Sequence, residues 1–466
     1  MGIRGILLLA LIPACMADNR WISLRTPNFH LLSQSDEKQG REAIKLFEEV
    51  RLAFTGTLGL KLPENKPITI VSFRDAGAFA RYKPRPNILA YTFTARNRDY
   101  IVMQELTTAN YPYALHEFTH VMVAQAGIKL PLWLNEGFAE IYGTLIPDGR
   151  RIRVGRIIPA RLQTVQSAML DLHEVLSADR NSKLYNEADR VGIFYAESWA
   201  LVHMLKFSDA YAPRFERVLD AIGRGESSEE ALQKVYSKTL RQILTDLGSY
   251  VHGSRFREGV IKTRLDQKVA EPQLESVDPV QTGVLLATLE ARSTDNAPAI
   301  KSLQELMAEN PQRLEPVETL AWIQLNGAAP VAAIAPFRRA LQMGTRDATL
   351  CYEFAVKLNT VIPDSDYVAA LHRAAEIDPG LAPAQEQLAA HAFNHHDYPE
   401  TLARLHAIKK LERSNAFPYW QMLSAAALQT GNVQEAKSAA ANAAKYAVTA
   451  DEKRRLEQLQ KLLSAR

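Results

Sequence analysis

The chain has 466 residues, 47% hydrophobic and 23% charged, which excludes wholesale disorder or a fibrous repeat and allows about three domains. Its 55 Lys and Arg against 52 Asp and Glu leave a net charge of +3, so bulk charge gives no nucleic-acid footprint. Two cysteines, Cys15 and Cys351, exclude a disulfide framework and a Cys-rich structural zinc site. A metal held by this chain has to use the His and carboxylate side chains.

Residues 1–17 read as a secretory signal peptide: Arg4, then an apolar run from Gly5 to Leu11, then small residues at Ala14 and Ala17. Two processing routes are open. Cleavage after Ala17 removes Cys15, whereas Ile12-Pro13-Ala14-Cys15 resembles a bacterial lipoprotein box that would acylate Cys15. No later stretch approaches the ~20 apolar residues of a membrane span. The expected location is therefore the bacterial periplasm or the exterior, with membrane attachment only through an N-terminal lipid.

From Trp21 to about Gln104, helix and strand signals alternate. Glu42 to Phe54 predicts an amphipathic helix, with Ile44, Phe47, Val50 and Phe54 on one face. Ile68 to Phe73 and Tyr100 to Gln104 predict strands. Mainly helical signals follow, to Ala210. A polar, irregular stretch around Gly253 to Gln281, with Pro272 and Pro279, marks a boundary between an N-terminal region over 18–256 and a C-terminal region over 279–466.

Residues 116–120 read His-Glu-Phe-Thr-His. On a helix, His116 and His120 lie one turn apart on one face, so both imidazoles reach one ion. Glu117 sits about 100° round the helix and can contact a metal-bound water without ligating. Apolar Leu115, Phe118 and Val121 would bury the helix, and Pro112 suits its start. Glu136 lies sixteen residues past His120, with Gly127 and Pro131 between them to turn a second helix back. His116, His120 and Glu136 supply the three protein ligands that a catalytic zinc site needs beside its open position. Glu140, one turn beyond Glu136, is either the acceptor that orients a ligand imidazole or a solvated helix carboxylate.

This His-Glu-x-x-His, followed by Trp133-Leu134-Asn135-Glu136-Gly137-Phe138-Ala139-Glu140, resembles the gluzincin zinc metallopeptidases. The second element is similar to that of the aminopeptidase N type. The shorter interval between the motifs is closer to the bacterial peptidase MA-like families, some of which carry tetratricopeptide repeats. The resemblance covers about Trp21 to Gly253 and implies a zincin-like fold, one Zn2+ and hydrolysis of peptide or protein substrates. In that mechanism Glu117 is the general base toward a zinc-activated water. It further implies that Tyr195, within Phe194-Tyr195-Ala196-Glu197-Ser198-Trp199, donates to the oxyanion, although a core aromatic is the alternative. His203 is read as packing. An extended substrate would add to a sheet edge, for which Tyr100 to Gln104 is the candidate.

Downstream, small residues recur at Ala287, Ala321, Ala355, Ala389 and Ser424, at intervals of 34, 34, 34 and 35. Twelve positions after each stand Ala299, Ala333, Tyr367, Thr401 and Ala436, and nineteen after each stand Leu306, Ala340, Ala374, Ile408 and Ala443. This period resembles the tetratricopeptide repeat, whose helices cross at small side chains. The expected fold is thus an α+β zincin-like metallopeptidase domain followed by an all-α tetratricopeptide-like array that binds a protein partner. The expected function is that of an exported zinc peptidase; the alternative is an inert peptidase-fold scaffold that binds through its repeats. The basic run Arg150 to Arg156 reads as a solvated loop, and Cys351 as buried and inert.

Overall fold

The computed structural model describes residues 21–466 apart from 57–58, 64–65, 96–97, 149–150, 263–270, 293–294 and 465–466. The segment that reads as a signal peptide, with Cys15, and Arg150 of the basic run lie outside the described residues. The chain divides into two compact units at Val277 and Asp278. The first is α+β and the second is helical.

The first unit opens with β1 (Ile22–Arg25), β2 (Phe29–Ser33) and α1 (Glu37–Gly56). There follow β3 (Ile68–Ser72), α2 (Ala76–Ala80), β4 (Ala90–Ala95), β5 (Arg98–Met103), α3 (Tyr111–Gln125) and α4 (Leu132–Gly143). A hairpin of β6 (Ile146–Asp148) and β7 (Arg151–Val154) leads to α5 (Pro159–Ser167), α6 (Leu172–Ser177), α7 (Lys183–Asn186) and α8 (Ala188–Phe207). The unit ends with α9 (Phe215–Gly223), α10 (Ser228–Tyr236), α11 (Leu240–Val251), β8 (Gly259–Lys262) and β9 (Gln273–Glu275).

The main sheet has the order β4-β5-β3-β2-β1-β9, and a smaller one the order β6-β7-β8. β2, β3 and β5 run parallel, while β4, β1 and β9 are antiparallel to their neighbours. The Tyr100 to Gln104 segment is therefore not an edge: β5 is held on one side by β3 and on the other by β4. Its alternation of Ile101 and Met103 with Val102, all fully buried, is the signature of an interior strand, and the terminal strand is β4. The first unit also reaches beyond 256, because β8 pairs with β7 and β9 with β1.

One face of the main sheet buries α1 and α3. Ile44, Phe47, Val50 and Phe54 form the buried stripe of α1, as their 3–4-residue spacing requires. Phe118 of α3 packs among Phe29, Phe47 and Phe54 with ring centroids 5.6–5.9 Å apart. Each such ring contributes about 2 kcal/mol through burial. This aromatic cluster fixes α3 about its axis, so the residues beside Phe118 on the helix are fixed as well.

The second unit comprises α12 (Pro279–Glu290), α13 (Ala297–Glu309), α14 (Glu315–Leu325), α15 (Ile334–Gln342), α16 (Ala348–Leu358) and α17 (Asp364–Ile377). It continues through α18 (Ala382–Asn394), α19 (Tyr398–Ala407), α20 (Ala416–Gln429), α21 (Val433–Ala444) and α22 (Ala450–Ser464). The helices α12 to α21 pack as successive pairs. Ala287, Ala321, Ala355, Ala389 and Ser424 are all buried, as are Ala299, Ala333, Thr401 and Ala436, twelve residues after four of them. At the last pair the contact is direct: Ser424 Oγ donates to the Ala436 carbonyl at 2.6 Å. Burial pushes the Cys351 thiol up to about 12, so it stays protonated. No helix among the described residues is long and apolar enough to cross a membrane.

Candidate metal centre

α3 begins at Tyr111 with Pro112 in its first turn, where a missing N–H is harmless. Gly127 at φ +68° and Pro131 then reverse the chain into α4. Two glycines set how closely α4 approaches its neighbours. A Cβ on Gly143 would stand 2.9 Å from the Pro112 carbonyl oxygen and 3.5 Å from His116 Cβ. A Cβ on Gly137 would stand 2.4 Å from Val202 Cγ2 and 2.6 Å from the Ser198 carbonyl oxygen, both on α8. The glycine of Trp-Leu-Asn-Glu-Gly is thus the point at which α4 and α8 touch backbone to backbone, directly after Glu136.

This packing brings His116, His120 and Glu136 together. His116 Nε2 and His120 Nε2 are 3.2 Å apart, and Glu136 Oε2 is 3.5 and 3.4 Å from them. Ligands about 2.1 Å from a tetrahedral ion stand about 3.4 Å apart, which is this triangle. The donor set also fits in kind, two imidazoles and a carboxylate being a zinc-type combination. Glu136 Oε2 is buried yet accepts no hydrogen bond, a costly condition for a carboxylate oxygen unless a cation completes it. His120 Nδ1 is likewise buried without a partner.

The local field favours a cation. Burial alone would raise Glu136, but the two imidazoles hold its carboxyl down at about 2. Burial opposes charge on His116, and the carboxylates of Glu136, Glu140 and Glu117 outweigh it, raising this imidazole. Burial raises Glu117, and the backbone N–H of Thr92 in β4 works weakly the other way. The base candidate therefore lies toward the terminal strand of the sheet, against which α3 packs.

Glu140 is not a solvated carboxylate. It is buried, lies 3.7 Å from His116 Nδ1, and receives Arg161 of α5 on both oxygens, at 2.7 and 3.2 Å. The same guanidinium sits 5.3 Å from the Tyr195 ring centre. The Tyr195 ring is 6.2 Å from that of His116. Its hydroxyl donates to Tyr185 Oη at 3.4 Å, and Tyr185 in turn donates to Glu136 Oε1 at 3.4 Å. Burial, and then the Glu136 carboxylate, push the Tyr195 phenol far above its usual range, so it remains a donor.

All six sequence-derived site residues, His116, Glu117, His120, Glu136, Glu140 and Tyr195, stand in this one region. Arg161 and Tyr185 were invisible to sequence reasoning. Both come from short helices, α5 and α7, with no motif around them, and only the fold carries them here. His203 is a packing residue: it is buried, with Nδ1 2.6 Å from Tyr250 Oη and Nε2 2.8 Å from the Gly155 carbonyl.

Glu197, on α8, is a further buried carboxyl. Its Oε2 accepts the Leu170 N–H at 2.7 Å, and its Oε1 has no partner. Burial raises it from 4.5 to about 7. Between those values the folded chain holds the proton more tightly than the unfolded chain, so folding is unperturbed below pH 4.5 and weakens as pH rises to about 7. The displacement corresponds to about 3 kcal/mol. Glu197→Gln is expected to gain about that much on wild type between pH 4 and pH 8 in denaturant-unfolding titrations. A difference between the two that does not change with pH would refute this.

A scan of the chain against protein-family models matches no family, and a search of curated proteins finds no match.

Proposed function

We propose that the protein is a zinc-dependent peptidase of the gluzincin type. The observation that carries the reading is the triangle of His116 Nε2, His120 Nε2 and Glu136 Oε2, with the half-buried Glu117 carboxylate beside it. When bound, zinc supplies the Lewis acid that acidifies water and polarises a carbonyl. The side chains supply the rest. Glu117 takes a proton from water and returns it to the leaving amine. Tyr195 offers a protonated phenol to a developing oxyanion, an interaction worth about 3–4 kcal/mol in such sites. Glu140 and Arg161 hold the His116 ring in place. Because α3 packs on β4, a substrate strand added to β4 would lie near the base.

The second unit supports a matching role. Its 34-residue spacing, with small residues buried in its helix pairs, is that of tetratricopeptide-like repeats, whose exposed faces bind polypeptides. We assign to it the capture of a protein substrate or partner.

The test is digestion of an unbiased peptide mixture. Wild type is expected to cleave, to stop on chelation and to recover with added zinc, while His120→Ala neither cleaves nor retains the ion. No cleavage across a broad panel by zinc-loaded wild type would leave an inert scaffold. Glu140→Gln is expected to weaken zinc binding by about 10–100-fold in competition with a chromophoric chelator, since partners of ligand imidazoles act at that scale. Unaltered affinity would remove Glu140 from the site.

A further inference from the structure

The second unit contains a separate group of metal-binding side chains. α17 and α18 are consecutive helices of similar length joined by residues 378–381, so the start of α17 meets the end of α18. Asp364, the first residue of α17, faces His391 of α18, whose Nε2 is 3.0 and 3.1 Å from the two carboxylate oxygens. His395 follows one turn later, and its ring stacks on that of His391 at 4.2 Å and 29°.

His395 is also oriented. Its Nδ1 lies 2.9 Å from the His391 carbonyl oxygen. Only a protonated Nδ1 can donate there, which leaves the lone pair on Nε2. An imidazole N–H given to a backbone carbonyl is the usual support of a metal-ligating histidine. One ligand atom from each of the three residues falls within 4.8 Å of the others. Ligands on a tetrahedral ion stand about 3.4 Å apart, so closure needs a movement of no more than about 1.4 Å. His395 and Asp364 are exposed, and their side chains can turn without repacking the helices.

We propose that Asp364, His391 and His395 form a second metal site, which takes a divalent transition ion such as Zn2+ through two imidazole nitrogens and one carboxylate oxygen. The ion replaces the proton shared by His391 and Asp364. An ion pair accounts for those two residues alone; it does not account for a second imidazole stacked beside them with its tautomer fixed. Two nitrogen ligands exclude Mg2+ and Ca2+, which require oxygen. Asp364 and His391 are 27 residues apart, so the ion would clip α17 to α18.

The experiment is isothermal titration of Zn2+ alone into the metal-stripped full chain. Wild type is expected to bind two equivalents. His395→Ala and His391→Ala, each with an unchanged circular dichroism spectrum, lose one, and His120→Ala loses the other. If wild type binds one equivalent that disappears in His395→Ala and persists in His120→Ala, the site in the second unit stands and the zinc peptidase reading falls. If His395→Ala and His391→Ala titrate like wild type, the cluster is an ion pair only and the proposal is overturned.

Discussion

Glu117→Gln is expected to lower peptide hydrolysis by about 10²–10⁴-fold, which is about 3–5 kcal/mol of barrier, while zinc remains stoichiometric. Gln keeps the shape of Glu, so the packing of α3 on the sheet is retained. His116, His120 and Glu136 are untouched, so the ligand triangle survives. What disappears is the capacity to take a proton and pass it on. The two readouts, turnover and bound metal, separate this effect from that of His120→Ala, which removes a ligand. A Glu117→Gln protein that cleaves within tenfold of wild type would show that another group is the base.

Gly137→Ala is expected to destabilise the first unit by about 2 kcal/mol or more and to loosen the metal centre with it. In an exposed helix the same change would stabilise by up to about 1 kcal/mol, because Ala is the better helix former. Here the added methyl meets Val202 Cγ2 at 2.4 Å and the Ser198 carbonyl oxygen at 2.6 Å. The first is a β-branched side chain with little freedom and the second is backbone, so α4 and α8 have to separate. Overpacking of this kind costs about 1–3 kcal/mol or more, which exceeds the propensity gain. Glu136 is the preceding residue, so the shift moves a ligand. Denaturant unfolding and zinc titration together check this. Adding Val202→Ala is expected to recover part of the stability and leave the Ser198 clash. A Gly137→Ala protein as stable as wild type would refute the close-contact argument.

How much of this was legible in the sequence follows from how local each feature is. The stripe of α1, the strand at Ile68 and the turn at Gly127 depend on spacing and on residue conformational preference, and all appear where the pattern places them. The site residues could be read because two helices carry five of the six, and a helix converts spacing into direction. Tyr100 to Gln104 carries the pattern of a strand, and β5 stands there, but as an interior strand and not an edge. Strand order depends on which segments pair, and the pairing of β4 with β5 leaves no mark within β5 itself. Arg161 and Tyr185 were out of reach for the same reason: their chemistry arises from where α5 and α7 come to rest. The sequence boundary at 256 falls short of the first unit's end at Val277 because β9 is three residues of unremarkable composition. The small-residue spacing of the second unit is legible because all five anchor positions are buried between packed helices, although Tyr367 breaks the pattern twelve residues after the third.

That last strand has a consequence for how the chain is made. β9 pairs with β1, and Arg25 meets Glu275 at 2.8 Å across 250 residues of sequence. The sheet on which α3 packs thus cannot be completed during synthesis until nearly all of the first unit has emerged. Contacts of such long sequence separation slow folding. Until then β1 presents an unpaired edge to its surroundings, a template for pairing with other chains. A truncation at residue 256, where the sequence pattern suggests a boundary, would make that open edge permanent. The segment between the first unit and the helical second unit is therefore also the closing stitch of the first, and a protein shortened there is expected to aggregate rather than simply lose its tail.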